Sequence, residues 1–119
     1  MKPEEFVSEI RHHAYESAVN GALSLIQKPP GRSPRKSLIE LSEWFNSLPE
    51  SDKRFVKKAV ALSAHQATFG ILAILDGVRQ IEDNTPLKGR LELRYINEGE
   101  NILLNDPKCE FLHDMFNTE

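Results

Sequence analysis

The segment Ala64–Asp83, AHQATFGILAILDGVRQIED, constrains the fold more than any other part of the chain, because its apolar residues coat a helix on two sides. At about 100° per residue, Ala67, Ile71, Ile74, Val78 and Ile81 fall on one side. His65, Phe69, Leu72, Asp76, Arg79 and Asp83 fall along the other. A surface helix of a small protein normally carries one apolar stripe and one polar face. Apolar residues on both sides require cover on both, from the rest of the chain or from a second copy. The segment is expected at the centre of the fold.

The flanking sequence reads as further helices. Pro3 with Glu4 and Glu5 marks a helix start, and Phe6, Ile10, Ala14, Ala18 and Ala22 continue it at helical spacing to about Gln27. Pro29-Pro30-Gly31 ends it. Ser33 or Ser37 is expected to cap a short second helix with Leu38, Leu41, Trp44 and Phe45 (or Leu48) inside. A third helix, capped by Ser51, is expected to run on to Glu82 or Asp83, unless it breaks near Thr68–Gly70. Asp83-Asn84-Thr85-Pro86 would stop it.

The period then changes from helical to twofold. Leu91, Leu93 and Tyr95 alternate with Arg90, Glu92 and Arg94. A two-residue turn at Glu98-Gly99 places Tyr95 opposite Ile102 and Leu93 opposite Leu104, with all five apolar residues on one face. Asp106-Pro107 reads as the cap and first residue of a closing helix whose inner side is Phe111, Leu112, Met115 and Phe116. The expected fold class is therefore α+β and mainly helical: a three-helix core, a C-terminal β-hairpin and a short closing helix, in a single domain over 1–119.

With 39% hydrophobic and 28% charged residues, the composition is that of an ordinary soluble domain. The longest uninterrupted apolar run is Phe69–Leu75, well short of a membrane span of roughly 18 residues. MKPEEFVSEI is acidic and amphipathic, unlike a secretory signal, and a lone Cys109 suits a reducing compartment, so a cytoplasmic protein is expected. Charge is unevenly spread. Residues 28–58 hold eight basic and four acidic side chains, leaving +4, whereas the rest of the chain holds seven and fourteen, leaving −7.

Motifs that carry chemistry are few. His12 with Glu16 and Glu9 with His13 have i, i+4 spacing, but no third ligand converges on either, so no metal and no cofactor is expected. Cys109 and His113 share that spacing on the closing helix, without a second cysteine or an oxyanion donor. Arg79 lies within reach of Asp76 and of Asp83, and with His65, Phe69 and Leu72 these form an apolar centre with charged ends. That line reads as an internal seam or, alternatively, as an interface. A small enzyme with its site near His65, Asp76 and Arg79 is another reading, with no substrate indicated. A regulatory or nucleic-acid-binding module would use the basic 28–58 region; the acidic chain and the apolar helix after that region argue against it.

FGILAILDGVRQIED, GRLELRY, LLND and LHDMFN together resemble small uncharacterised bacterial proteins of the toxin-immunity type, over about the C-terminal half of the chain. The resemblance implies a non-enzymatic cytoplasmic binder that occludes a cognate toxin, and it assigns no residue a role. Many such toxins are nucleases with positive clefts. The acidic residues Glu98, Glu100, Asp106, Glu110 and Asp114, near the hairpin turn and the closing helix, are then the expected contact. A homodimer is the other association the two-sided helix suggests.

Overall fold

From Pro3 to Gln27 the chain is helical in three parts, α1 (Pro3–Ile10), a π-helical segment (Arg11–Glu16) and α2 (Ser17–Gln27). These come from a computed structural model that describes residues 1–82 and 89–118. Pro3 opens α1, and Glu4 and Glu5 lie in its first turn, where negative charge favours the positive end of the helix dipole. The π segment has no counterpart in the sequence reading. Its wider turn keeps Arg11 and Tyr15 on one side, and both meet Phe116. The Arg11 guanidinium lies 4.6 Å above that ring, and Tyr15 meets it edge-on at 5.9 Å.

Helix α3 (Lys36–Ser47) has Arg35 as its N-cap, so neither Ser33 nor Ser37 serves. Its inner side is Phe45 and Ser42, while Leu41 and Trp44, expected inside, face solvent. The reason is that α3 packs chiefly against α2, and one helix contact covers only a narrow stripe. Asn46 Nδ2 fixes that contact by donating to the Gln27 carbonyl (3.1 Å) and to Ser42 Oγ (3.2 Å).

Helix α4 (Glu50–Leu75) returns antiparallel to the first stretch, packing Leu72 with Val7 and His65 with Tyr15. Pro49, not Ser51, is its N-cap, and the helix passes Thr68–Gly70 unbroken. It ends at Leu75, well before the expected Glu82 or Asp83; the expected stop at residues 83–86 lies outside the described residues. Gly77 ends it. With φ of +79°, Gly77 donates its N–H to the Ile74 carbonyl (3.0 Å) while Val78 donates to Ala73 (3.1 Å), the paired bonds of a Schellman stop. Gly77→Ala forces a Cβ into the left-handed region and is expected to lower stability by roughly 1–2 kcal/mol. Urea unfolding would measure this; an unchanged midpoint would show that the stop relaxes without cost.

The fold covers one side of α4, where cover on both sides was expected. Leu72 is buried and Phe69 partly buried under α1 and the closing helix, whereas Ala67, Ile71, Val78 and Ile81 are exposed. By length and composition, α4 is also long and apolar enough to cross a membrane. A count of uninterrupted apolar residues missed this, because Ser63, His65, Gln66 and Thr68 interrupt the run without charging it.

Strands β1 (Arg94–Asn97) and β2 (Glu100–Leu103) form an antiparallel hairpin in the expected register, Tyr95 facing Ile102. Leu104 N–H donates to the Leu93 carbonyl (2.8 Å), extending the ladder by one pair. Gly99 takes φ of +80° and Glu98 has no positive φ, so the turn is not the mirror-image type that needs two. Leu104 is buried and Leu93, Tyr95 and Ile102 are partly covered. Leu91, expected on that buried face, is 43% exposed because it precedes the ladder.

The closing helix α5 (Leu112–Asn117) starts at Phe111 as N-cap rather than at Asp106-Pro107, which form a separate turn. Its Leu112 and Phe116 join Val7 and Leu72 in the core, flanked by Phe6, Tyr15, Phe69, Leu75, Leu93 and Met115. The fold is α+β and mostly helical, with one two-stranded hairpin. Its radius of gyration is 18.5 Å, against about 13.5 Å for a compact chain of this length. That openness leaves much apolar surface uncovered.

Candidate functional site

The end of the molecule where α4, the hairpin and α5 meet is held by polar side chains that each bridge distant parts of the chain. Asp76, the residue after α4, is the main one; its side chain is 1% exposed. Its carboxylate accepts the backbone N–H groups of Leu112 (3.0 Å) and His113 (2.8 Å), the unpaired donors of the first turn of α5. It also meets His113 Nδ1 at 2.6 Å. An ionised carboxylate only accepts, so Nδ1 is the donor in that contact. His113 is wedged between Phe69 (5.3 Å, edge-on) and Phe111 (5.5 Å, stacked), and its Nε2 lies 3.3 Å from Asp114. At the other end of α5, Arg11 donates to the carbonyls of Phe116 and Thr118, a cation where the helix dipole is negative.

Asn105 plays the same part for the hairpin. Its Nδ2 donates to the carbonyls of Leu75 (2.5 Å) and Leu91 (2.8 Å), and its Oδ1 accepts from Leu93 N–H (2.8 Å). The side-chain amide thus ties the end of α4 to the strand. On the outer side, Glu92 lies between Arg90 and Arg94. The hydrogen bond from Arg90, then that from Arg94, holds its carboxyl below the usual carboxylate range.

The acidic residues singled out from the sequence all lie toward this end, in different states of use. Glu98, at the hairpin turn, and Glu110, before α5, are exposed and make no ion pair among the described residues. Glu100 pairs with the Met1 amino group at 3.1 Å. Asp106 accepts Lys108 N–H at 2.9 Å and so shapes its own turn. Asp114 faces His113. Glu110 precedes α5, so it does not share a helix face with Asp114 as the i, i+4 spacing implied.

The line His65, Phe69, Leu72, Asp76 is an internal seam. His65 packs against Tyr15 (5.7 Å) and Phe116 (4.8 Å), and Asp76, eleven residues on, lies roughly 16 Å further along the axis. Arg79 folds back against Gly70 and makes no ion pair with Asp76; Asp83, the other carboxylate its spacing allowed, lies outside the described residues. These residues are not brought together at one reacting centre. A cleft of about 480 Å³ opens beside them, lined in part by Ile74, Arg79, Ile81, Arg90 and Leu91. His12 pairs with Glu16 and His13 with Glu9, each at 3.1 Å, as their spacing suggests, both on the exposed helix surface. Cys109 lies in a turn before α5, which removes its helical relation to His113. Among the described residues, no three of His, Cys, Asp and Glu converge to hold a metal.

Asn105, Arg11 and the cap made by Asp76 escaped the sequence reading. For Asp76 a signal was present: Asp-Gly after an apolar helix is a common stop, and the stop frees the aspartate for another use. Asn105 and Arg11 act on backbone groups far away in sequence, and nothing local marks them. Compared with known proteins, the chain matches no family model, no curated protein and no solved structure.

Proposed function

We propose that the chain is a non-enzymatic protein-binding domain of the cytoplasm, and that its acidic end docks on a basic protein. The partner class we assign is a cognate toxin, neutralised by occlusion. One observation carries this reading: the charge is separated to the two ends of the molecule. No charged residue occurs in 17–27 or in 59–75, the middle of both long helices. The +4 of residues 28–58 therefore lies at the α3 end, and the described residues outside that stretch, six basic and twelve acidic, leave −6 over the first helix up to Glu16 and the end holding α5 and the hairpin. There Glu98 and Glu110 stand exposed and unpaired among the described residues, on a frame braced by Asn105 and Asp76. Exposed carboxylates on a braced frame raise the association rate with a positive surface, such as the substrate cleft of a nuclease. The buried carboxylate of Asp76 is engaged in capping α5.

The test is co-expression with the product of the adjacent gene. Expected are protection of the host and a stable complex, weakened at least about tenfold by the joint changes Glu98→Lys, Glu100→Lys and Glu110→Lys. Circular dichroism should be unchanged, since all three are surface positions. A chain that binds no adjacent product, or a triple variant that binds and protects as the wild type does, would overturn the reading.

A further inference from the structure

The cleft beside the end of α4 has no part in the docking proposed for the acidic end, and none of Glu98, Glu100 and Glu110 lines it. Its volume of about 480 Å³ falls within the roughly 300–1,000 Å³ of small-molecule sites. Much of its wall is aliphatic, from Ile74 and Pro107 to Ile81 and Leu91. The last two are still 58% and 43% exposed, so a ligand here covers apolar surface that the fold leaves to water. The polar groups around the cleft select the kind of ligand. Asp76 engages both carboxylate oxygens with α5, and Asn105 engages its amide with Leu75, Leu91 and Leu93. Arg90 is paired with Glu92, and Glu82 Oε2 accepts the Gly89 N–H at 2.7 Å. Arg79 differs: it lines the cleft and its guanidinium meets no acceptor among the described residues. Gly70 sets its place. A Cβ at that buried position would lie 2.6 Å from Arg79 Nη1, so the bare glycine is what lets the guanidinium rest on α4.

We infer that this cleft binds a small amphipathic carboxylate, its charged group on Arg79 and its aliphatic body against Ile74, Ile81 and Leu91. A guanidinium has five donors and no acceptor, and its planar fork matches the two oxygens of a carboxylate. A neutral chain of the same length gains nothing from Arg79, and an amine is repelled by it. The inference does not rest on the partner proposed for the acidic end.

The experiment is a titration of the full chain with sodium octanoate, followed in amide nitrogen–proton correlation spectra. Expected are saturable shifts at residues 77–82, 89–91 and Asn105, with a Kd on the order of 1 mM. Octanol and octylamine should each bind at least about tenfold more weakly. Arg79→Gln should weaken octanoate at least about tenfold, and Arg79→Lys, which keeps the charge without the fork, by less. Gly70→Ala tests the placement of Arg79 from outside the cleft. Alanine suits a helix, so the fold should be kept while the new Cβ displaces the guanidinium. Octanoate binding should then fall several-fold, with no further loss when Gly70→Ala is added to Arg79→Gln. Because no partner protein is present, failure here and failure of the docking reading are distinguishable. The inference is overturned if no saturable shift appears up to roughly twentyfold above that Kd, or if octanol binds as tightly as octanoate. Undiminished binding by Arg79→Gln or Gly70→Ala would overturn it too, as would shifts centred on the exposed side of α4 instead of the cleft.

Discussion

Phe116→Ala is expected to remove about 3–5 kcal/mol of stability, and Leu72→Ala about 2–5 kcal/mol. Phe116 is 0% exposed and Leu72 2%, and with Val7 and Leu112 they make up the buried cluster at the hairpin end. Phe116 also receives Arg11, Tyr15 and His65 around its ring, so its loss leaves three partners facing a cavity that the long helices cannot easily close. A domain of this kind has on the order of 5–15 kcal/mol to lose. Urea unfolding followed by circular dichroism should show a large drop in midpoint for both variants. Midpoints within about 1 kcal/mol of the wild type would show that the contact of α5 with α1 and α4 contributes little to stability.

Asp76→Ala is expected to cost on the order of 3 kcal/mol, more than an ordinary helix cap of roughly 1 kcal/mol. The excess arises because the carboxylate is buried and serves two backbone donors and His113 together. Asp76→Asn keeps the shape but replaces one acceptor oxygen by a donor, so it should recover only part of the loss. Amide hydrogen exchange provides the specific readout. The N–H groups of Leu112 and His113 should lose protection in Asp76→Ala, while those of the β1–β2 ladder keep theirs. Uniform loss across the hairpin and α5 would mean that Asp76 holds the whole end rather than α5 alone.

The dependence of α5 on a residue 36 positions earlier explains why parts of this fold were legible and others were not. Periodicity decides local structure, because a helix and a strand each place every side chain by sequence spacing alone. The hairpin register could therefore be read from Leu93, Tyr95, Ile102 and Leu104, and the first helix from Pro3 to Gln27. The end of α4 was misread because Val78 and Ile81 continue the helical spacing past Gly77, and spacing cannot report a backbone that has already turned. The hydrogen bonds of the Gly77 stop settle the matter by satisfying the carbonyls of Ala73 and Ile74.

Of the acidic residues singled out for binding, the sequence marked all five as negative and close in order. Their state of use was hidden, since Glu100 finds the N-terminus and Asp114 finds His113 only once the chain has folded. Trp44 and Leu41 teach the same lesson from the apolar side. Their helix meets one neighbour along a narrow stripe, and being apolar does not ensure cover.

By itself the sequence determined the helical and twofold segments, the hairpin register, the separation of charge along the chain and the presence of apolar residues on two sides of the central helix; the expected cover on both sides is met on one. It was silent on which side the chain would cover, because Phe69 and Leu72 on one side and Ile71 on the other are equally apolar. Only the tertiary structure decided that, by bringing α1 and α5 onto Leu72 and leaving Ile71 to solvent. The physical reason is that burial energy is non-directional and scales with area, whereas the bonds that direct α5, from Asp76 and Arg11 to its backbone, join residues the sequence places far apart.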